Sequence, residues 1–183
     1  FADVAPGSYY YNAVLWAVEN GVTTGTSATT FSPNAPCTRG QIVTFLQRSL
    51  NETAKETNNP FTDVAPNAFY ANAVLWAVAN DVTKGTSATT FSPNANVTRE
   101  QMAAILYRYA QYKKYNTAAS SSLNSFSDHT SVSGYAVASL QWSVAEKLVN
   151  GSNGKLMPTG NASRAQVAAI LHRFAENVAK TTK

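Results

Sequence analysis

TSATTFSPN, residues 26–34, recurs letter for letter as residues 86–94. Outward from that block, residues 1–50 align with residues 61–110 without a gap, at an offset of 60 and with 32 identities in 50. A third, diverged copy starts at Phe126. Its Phe126-Ser127-Asp128, Trp142, Gly151-Ser152, Pro158 and Ser163-Arg164-Ala165-Gln166 match Phe1-Ala2-Asp3, Trp16, Gly25-Thr26, Pro33 and Thr38-Arg39-Gly40-Gln41. This copy has one residue more before Trp142 and one fewer in the turn before Pro158. Motifs that return in one order at a fixed spacing mark a repeat architecture. The units are residues 1–50, 61–112 and 126–183, joined by polar linkers at 51–60 and 113–125 into one compact module. The second linker is rich in Ser, Ala and Asn and reads as flexible. Tyr107, Tyr109, Tyr112 and Tyr115 lead into it, and packing against a neighbouring unit is favoured over sugar or base binding for them.

Each unit reads as helix–loop–helix, which makes the chain mainly α. Tyr11 to Glu19 is the first helix of the first unit, with Val14, Leu15, Val18 and Tyr11 on one face and Asn20-Gly21 as its stop. Val74, Leu75 and Val78 repeat this in the second unit, ended by Asn80-Asp81. Residues 25–33, bracketed by Gly and Pro, form a turn that Phe31 and Phe91 plug to the core. The second helix carries the sharpest signal. Thr38-Arg39-Gly40-Gln41, Thr98-Arg99-Glu100-Gln101 and Ser163-Arg164-Ala165-Gln166 are capping boxes, in which hydroxyl and amide satisfy each other's backbone N–H groups. Cys37, Val97 and Ala162 before the cap, and Ile42, Met102 and Val167 after it, are placed for a hydrophobic staple. One such helix pair cannot bury its apolar stripes alone; three facing each other can.

Only 13% of the 183 residues are charged, about half the usual share, while 44% are hydrophobic and 11% aromatic. That composition builds a core and excludes wholesale disorder. No apolar run approaches the roughly 18–20 residues of a membrane span, so no membrane insertion is expected. The start at Phe1, without a basic segment and an apolar run, reads as an excised fragment with no signal peptide. The net charge is +4, yet Lys and Arg cluster nowhere beyond Lys113-Lys114, so no nucleic-acid partner is expected. Cys37 is the only cysteine and reads as a small buried apolar residue. His129 and His172 belong to no metal or nucleophile motif, so neither an enzyme nor a cofactor or metal is expected.

All six arginines occupy two repeat positions. Arg39, Arg99 and Arg164 open the capped helices; Arg48, Arg108 and Arg173 follow nine residues later, half a turn round the helix at about 100° per residue. The first set stands where backbone N–H groups lack helical partners and the helix dipole is positive, a setting suited to a carboxylate or phosphate. The competing reading is a salt bridge to Asp3, Asp63 and Asp128, which recur once per unit. Both readings stand at this point. The second set reads as structural, lying along the bundle surface. Trp16, Trp76 and Trp142 also recur, either to stack on sugar or to fill the core. Gly25-Thr26, Gly85-Thr86 and Gly151-Ser152 either hold a ligand or make a turn, with the turn favoured.

The order F-x-D-V, a helix bearing Trp, G-x-x-x-G-T, F-x-P and T-R-x-Q resembles the S-layer homology (SLH) domain, over nearly the whole chain except the linkers. That family's usual box is threonine-arginine-alanine-glutamate; here it reads TRGQ, TREQ and SRAQ, so arginine is kept and glutamate is not. The resemblance implies three repeats in a pseudo-threefold arrangement around a central helical bundle, with grooves between neighbouring repeats. It implies a non-enzymatic module at the bacterial cell surface that fastens a secreted protein to the cell wall. The implied partner is an anionic cell wall polysaccharide, a secondary cell wall polymer that often ends in a pyruvate-ketal sugar. Arg39, Arg99 and Arg164 would contact its anionic group. Asp3, Asp63, Asp128, the Gly-Thr/Ser turns and the three tryptophans would support them. Leu156-Met157 replace Phe-Ser in the third copy, so a groove lined by that turn is the least expected to serve. The alternative is a surface adhesin or self-assembly unit that binds a host or surface-layer protein.

Overall fold

A computed structural model describes residues 1–53 and 56–180. Ala54 and Lys55 of the first linker, and the last residues of the third unit, lie outside the described residues. The helices are α1 (Tyr11–Glu19), α2 (Arg39–Ser49), α3 (Ala71–Ala79), α4 (Arg99–Tyr112), α5 (Val137–Ala145) and α6 (Arg164–Phe174). Each unit thus supplies one short helix and one capped helix. Two 3₁₀ turns, His129–Ser131 and Gly134–Ala136, precede α5, and a π turn, Ala175–Ala179, extends α6. Among the described residues no helix is long and apolar enough to cross a membrane.

All three capping boxes form. The Thr38, Thr98 and Ser163 hydroxyls accept from the N–H of Gln41, Gln101 and Gln166 at 3.3, 3.2 and 3.2 Å. The same glutamines accept the cap N–H through Oε1 at 3.1, 3.0 and 3.0 Å. Just before the caps, the three chains of the repeats meet. Cys37 N–H donates to Ala162 O (2.8 Å), Ala162 N–H to Val97 O (2.8 Å) and Val97 N–H to Cys37 O (3.0 Å). These three bonds form a closed cycle, so each unit is both donor and acceptor and none is terminal. Cys37, Val97 and Ala162 are buried in the middle of it. Helix packing follows the same order: α2 lies on α3, α4 on α5 and α6 on α1. Each capped helix therefore covers the short helix of the next unit, and the last covers the first.

The apolar face of α1 differs from the expected one. Ala13, Val14 and Ala17 are buried, whereas Leu15 and Val18 are exposed. The short helix meets its neighbour through alanines, which let the backbones approach closely, and this turns the larger side chains outward. Towards the C-terminal ends of α4 and α6 an aromatic cluster joins the units. Tyr109 lies 6.0 Å from Trp76 and 5.8 Å from Phe174, and Phe174 lies 6.3 Å from Trp142, ring centre to ring centre. The Tyr109 hydroxyl donates to Glu52 Oε1 at 2.8 Å, and Lys113 Nζ reaches the same oxygen at 2.8 Å, tying the first linker to α4. Tyr107, Tyr109 and Tyr115 of the tyrosine series thus pack, while Tyr112 is exposed. The second linker also docks: Leu123 is buried, Ser121 N–H donates to Gln141 O, and Trp142 Nε1 donates to Asn116 O. Its Ser/Ala/Asn composition hides this, because the contacts run through backbone groups and one leucine.

The short helices end on left-handed residues, Gly21 (φ 67°), Asp81 (φ 55°) and Lys147 (φ 58°). A side chain with a Cβ costs about 1–2 kcal/mol there, and glycine does not. Lys147→Gly should raise stability by on the order of 0.5–1 kcal/mol, after the added freedom of the unfolded chain is counted. Thermal melting should show a Tm a few degrees higher, and Gly21→Ala should move it the other way.

Candidate functional site

The three aspartates hold turns, not arginines. Asp3 accepts from Phe31 N–H (2.8 Å) and Ser32 N–H (2.7 Å). Asp63 does the same for Phe91 and Ser92, and Asp128 for Leu156 and Met157, at the same pairs of distances. The second amide of each pair belongs to a residue with left-handed backbone, Ser32, Ser92 or Met157. A carboxylate with two parallel amide bonds fixes that otherwise costly conformation.

The box arginines reach across to the next unit's turn from the other side. Arg39 Nε donates to Phe91 O (2.9 Å) and its Nη2 to Lys84 O (2.7 Å), with the guanidinium 4.5 Å from the Phe91 ring centre. Arg164 Nε donates to Phe31 O (2.8 Å), and Arg99 Nη1 to Met157 O (3.3 Å). At Phe91 and Phe31, one peptide thus gives its N–H to the unit's own aspartate while its C=O takes the neighbour's arginine. No arginine forms an ion pair with a carboxylate among the described residues. Burial lowers the pKa of Arg39 and Arg164, opposed for Arg39 by nearby Asp63 and for Arg164 by Cys37 and Asp3. Both remain cations, since guanidinium does not deprotonate in proteins.

The helix starts themselves are not open. Besides the two amides in each box, Arg39 and Gly40 donate to Ala95 and Pro93, Arg99 and Glu100 to Gly160 and Pro158, and Arg164 and Ala165 to Ala35 and Pro33. Every first-turn N–H that a ligand might use is taken by the box or by the next unit. Local spacing cannot show this, because the acceptors lie in another repeat.

Two cavities lie between units. The larger, about 370 Å³, sits on α6. Gln166, Ala169, Ile170 and Arg173 form its floor, the third unit's turn forms one wall with Asn150, Gly151, Ser152, Leu156 and Met157, and Arg99 and Tyr9 come from the other two units. The smaller, about 260 Å³, repeats this plan on α4 with Gln101, Ala104, Ile105, Arg108, Thr83, Lys84, Arg39 and Tyr135. In repeat register, each cavity joins the box arginine of one unit to the box glutamine and later arginine of the next. An exposed aromatic side chain comes from the remaining unit, Tyr9 of the first in the larger cavity and Tyr135 of the third in the smaller.

Of the expected site residues, Arg99, Gly151 and Ser152 line the larger cavity and Arg39 the smaller. Trp76 and Trp142 are 0% and 1% exposed, so their faces belong to the core and are closed to a sugar. Trp16 is half-buried against His172, ring centres 5.0 Å apart. Gly25, Gly85 and Gly151 lie under the rings of Phe1, Phe61 and Phe126; a Cβ on Gly85 would stand 2.6 Å from Phe61. Thr26, Thr86 and Ser152 bond back within their turns to residues 30, 90 and 155. The larger cavity is lined by the third unit's turn, where the resemblance is weakest. Among the cavity residues that sequence did not single out for a site are Arg108, Arg173, Tyr9 and Tyr135. Half a turn separates Arg108 and Arg173 from the box arginine of their own helix, but each lines a cavity with the box arginine of the preceding unit. The threefold recurrence of this later arginine was the available signal.

The aspartate clamps set an acid limit. Bonds from the Phe31 and then Ser32 amides hold Asp3 below the ordinary carboxylate pKa, despite its desolvation. For Asp63 and Asp128 desolvation pushes upward most strongly, and the two turn amides with the others together outweigh it. A folded pKa below the unfolded value of about 3.9 adds stability that is complete above that value and lost as pH falls through the folded pKa. Denaturant unfolding should therefore show stability dropping below about pH 4. Asp63→Asn should destabilise the fold at neutral pH and flatten that acid slope.

Comparison with known proteins gives three matches to the S-layer homology domain, at residues 1–43, 60–103 and 125–168. The chain is 32% identical over 98% of its length to an endoglucanase of Bacillus sp. (strain KSM-635), of which it covers 19%. It is 32% identical over 96% of its length to a surface-layer 125 kDa protein of Lysinibacillus sphaericus, covering 15% of that protein. It is 33% identical over 83% of its length to an amylopullulanase of Thermoanaerobacterium thermosulfurigenes, covering 8%. The chain thus spans less than a fifth of these relatives. The shared region is a binding and anchoring module, separate from the rest of the enzymes that carry it. Three matches in tandem over most of the residues show that the chain belongs to the S-layer homology domain family, whose members anchor proteins to the cell wall, and its place is the cell surface or cell wall.

Proposed function

We propose that this module fastens a secreted bacterial protein to the cell wall by holding an anionic, pyruvylated secondary cell wall polymer in its inter-repeat grooves. The protein it carries is an enzyme or a surface-layer protein, as among its relatives. The larger cavity is the observation that carries this reading. Two cations, Arg99 and Arg173, stand in a cavity whose walls include Leu148, Leu156, Met157 and Ile170. A free inorganic anion has no use for such apolar walls. A sugar bearing a carboxylate on a methyl-substituted ketal uses both: its charge meets guanidinium, and its methyl and ring C–H groups meet the aliphatic side chains and Tyr9. Gln166 and Ser152 supply polar groups for hydroxyls. The smaller cavity offers Arg39, Arg108 and Lys84 to a second sugar of the same chain. Two weak sites on one polymer give avidity without new contacts.

A charged hydrogen bond is worth about 1.5–3 kcal/mol, so losing one should weaken binding roughly ten- to hundredfold. Arg99→Ala and Arg173→Ala should each show that loss in a pull-down with purified wall polymer, with thermal melting beside it to show the variant folded, because Arg99 also donates to Met157 O and Arg173 to Leu148 O. Removing the pyruvyl groups from the polymer should mimic it. Undiminished binding by a folded Arg39→Ala, Arg99→Ala double variant would overturn the mechanism, and capture of a protein partner in place of the polymer would favour the adhesin reading.

A further inference from the structure

The two cavities share a plan, and the repeat register gives α2 the corresponding place in a third groove. Ile105 lines the cavity on α4 and Ile170 the one on α6. The register puts Phe45 at that position on α2. The register likewise pairs the α2 groove with Arg164, the box arginine of the third unit. That arginine differs from its two counterparts. Arg39 and Arg99 are half-buried, whereas Arg164 is 3% exposed. Its guanidinium lies between two rings, 4.8 Å from the centre of Phe31 and 5.4 Å from that of Phe45. Its Nε is committed to Phe31 O, and its Nη2, like the Nε of Arg99, is buried with no hydrogen-bond partner among the described residues.

We infer that Phe45 closes the groove on α2, so that the module holds two anionic sugars and not three, with Arg164 as a latent donor under the ring. The physical reason is size and shape. A flat phenyl ring reaches over the guanidinium where a branched isoleucine does not: Arg39 has one ring, Phe91, near its guanidinium, whereas Arg164 has two, Phe31 and Phe45. A buried guanidinium nitrogen left without an acceptor is an unsatisfied group that an anion would relieve, were the ring removed. Phe45 is thereby the residue that sets the number of working grooves.

This inference rests on the anionic-sugar reading above, and calorimetric titration with a pyruvylated disaccharide tests the two separately. The wild-type chain should bind two equivalents. Arg39→Ala and Arg99→Ala should each leave one, and Arg164→Ala should leave two. Phe45→Ile, which copies the residue of the other repeats, should bind three; it is the conservative variant that keeps the test intact should Arg164→Ala fail to fold. Three equivalents in the wild type, loss of one in folded Arg164→Ala, or no gain in Phe45→Ile overturns the closure while leaving the sugar reading standing. No binding by any chain overturns the sugar reading. Closure is then read without sugar, from phenylglyoxal labelling followed by mass spectrometry. Arg164 should react at least tenfold more slowly than Arg39 and Arg99 in the wild type and lose that protection in Phe45→Ile. Equal labelling of the three in the wild type overturns it.

Discussion

Three amides ahead of the capped helices hold this molecule in its form. Cys37, Ala162 and Val97 pass a backbone hydrogen bond round a closed cycle, and the next two amides of each helix continue it into the neighbouring turn. The capping box accounts for two of the four N–H groups that a helix start leaves unpaired, and the next repeat accounts for the other two. A helix start that depends on a second chain segment for half its hydrogen bonds is stable only when that segment is in place. The three units therefore assemble together, and the cyclic packing of α2 on α3, α4 on α5 and α6 on α1 follows.

The same economy places the cations. Each turn is gripped on its amide side by the unit's own aspartate, and on its carbonyl side by an arginine from the preceding unit. Because the peptide sits between them, neither charge is neutralised by direct contact. Arg39 and Arg99 also line the cavities between repeats, and the aspartates do not. A scaffold contact and a candidate anion site are thus the same residue, and its truncation has to be read with a stability measurement beside the binding one.

Divergence between the copies has consequences that differ by position. At the third turn, Leu156 and Met157 keep their amides on Asp128, so the change of side chain alters the cavity wall and not the backbone. At Phe45 one larger side chain in the α2 groove changes how its arginine is used. Trp16 is half-buried beside His172, while Trp76 and Trp142 are sealed in the core. Equal letters at repeat positions did not mean equal exposure, since the aromatic cluster around Tyr109 and Phe174 covers two of the three tryptophans.

The sequence by itself determined the three units, the helix pair in each, the bounds of α1, and the capping boxes down to the atoms that bond. These are set by residues three or four apart, or by recurrence along the chain, and both can be read in one dimension. It also determined that arginine, aspartate and glycine recur for a reason. Only the tertiary structure decided what each does. The aspartate's partners lie about thirty residues away, the arginine's in another unit, and the second arginine joins a groove floor only because that unit turns it toward its predecessor. Hydrogen bonds to backbone groups leave no complementary letter in the sequence. The partners of Asp63 and Arg39 became visible only once the turn between them had a place in space.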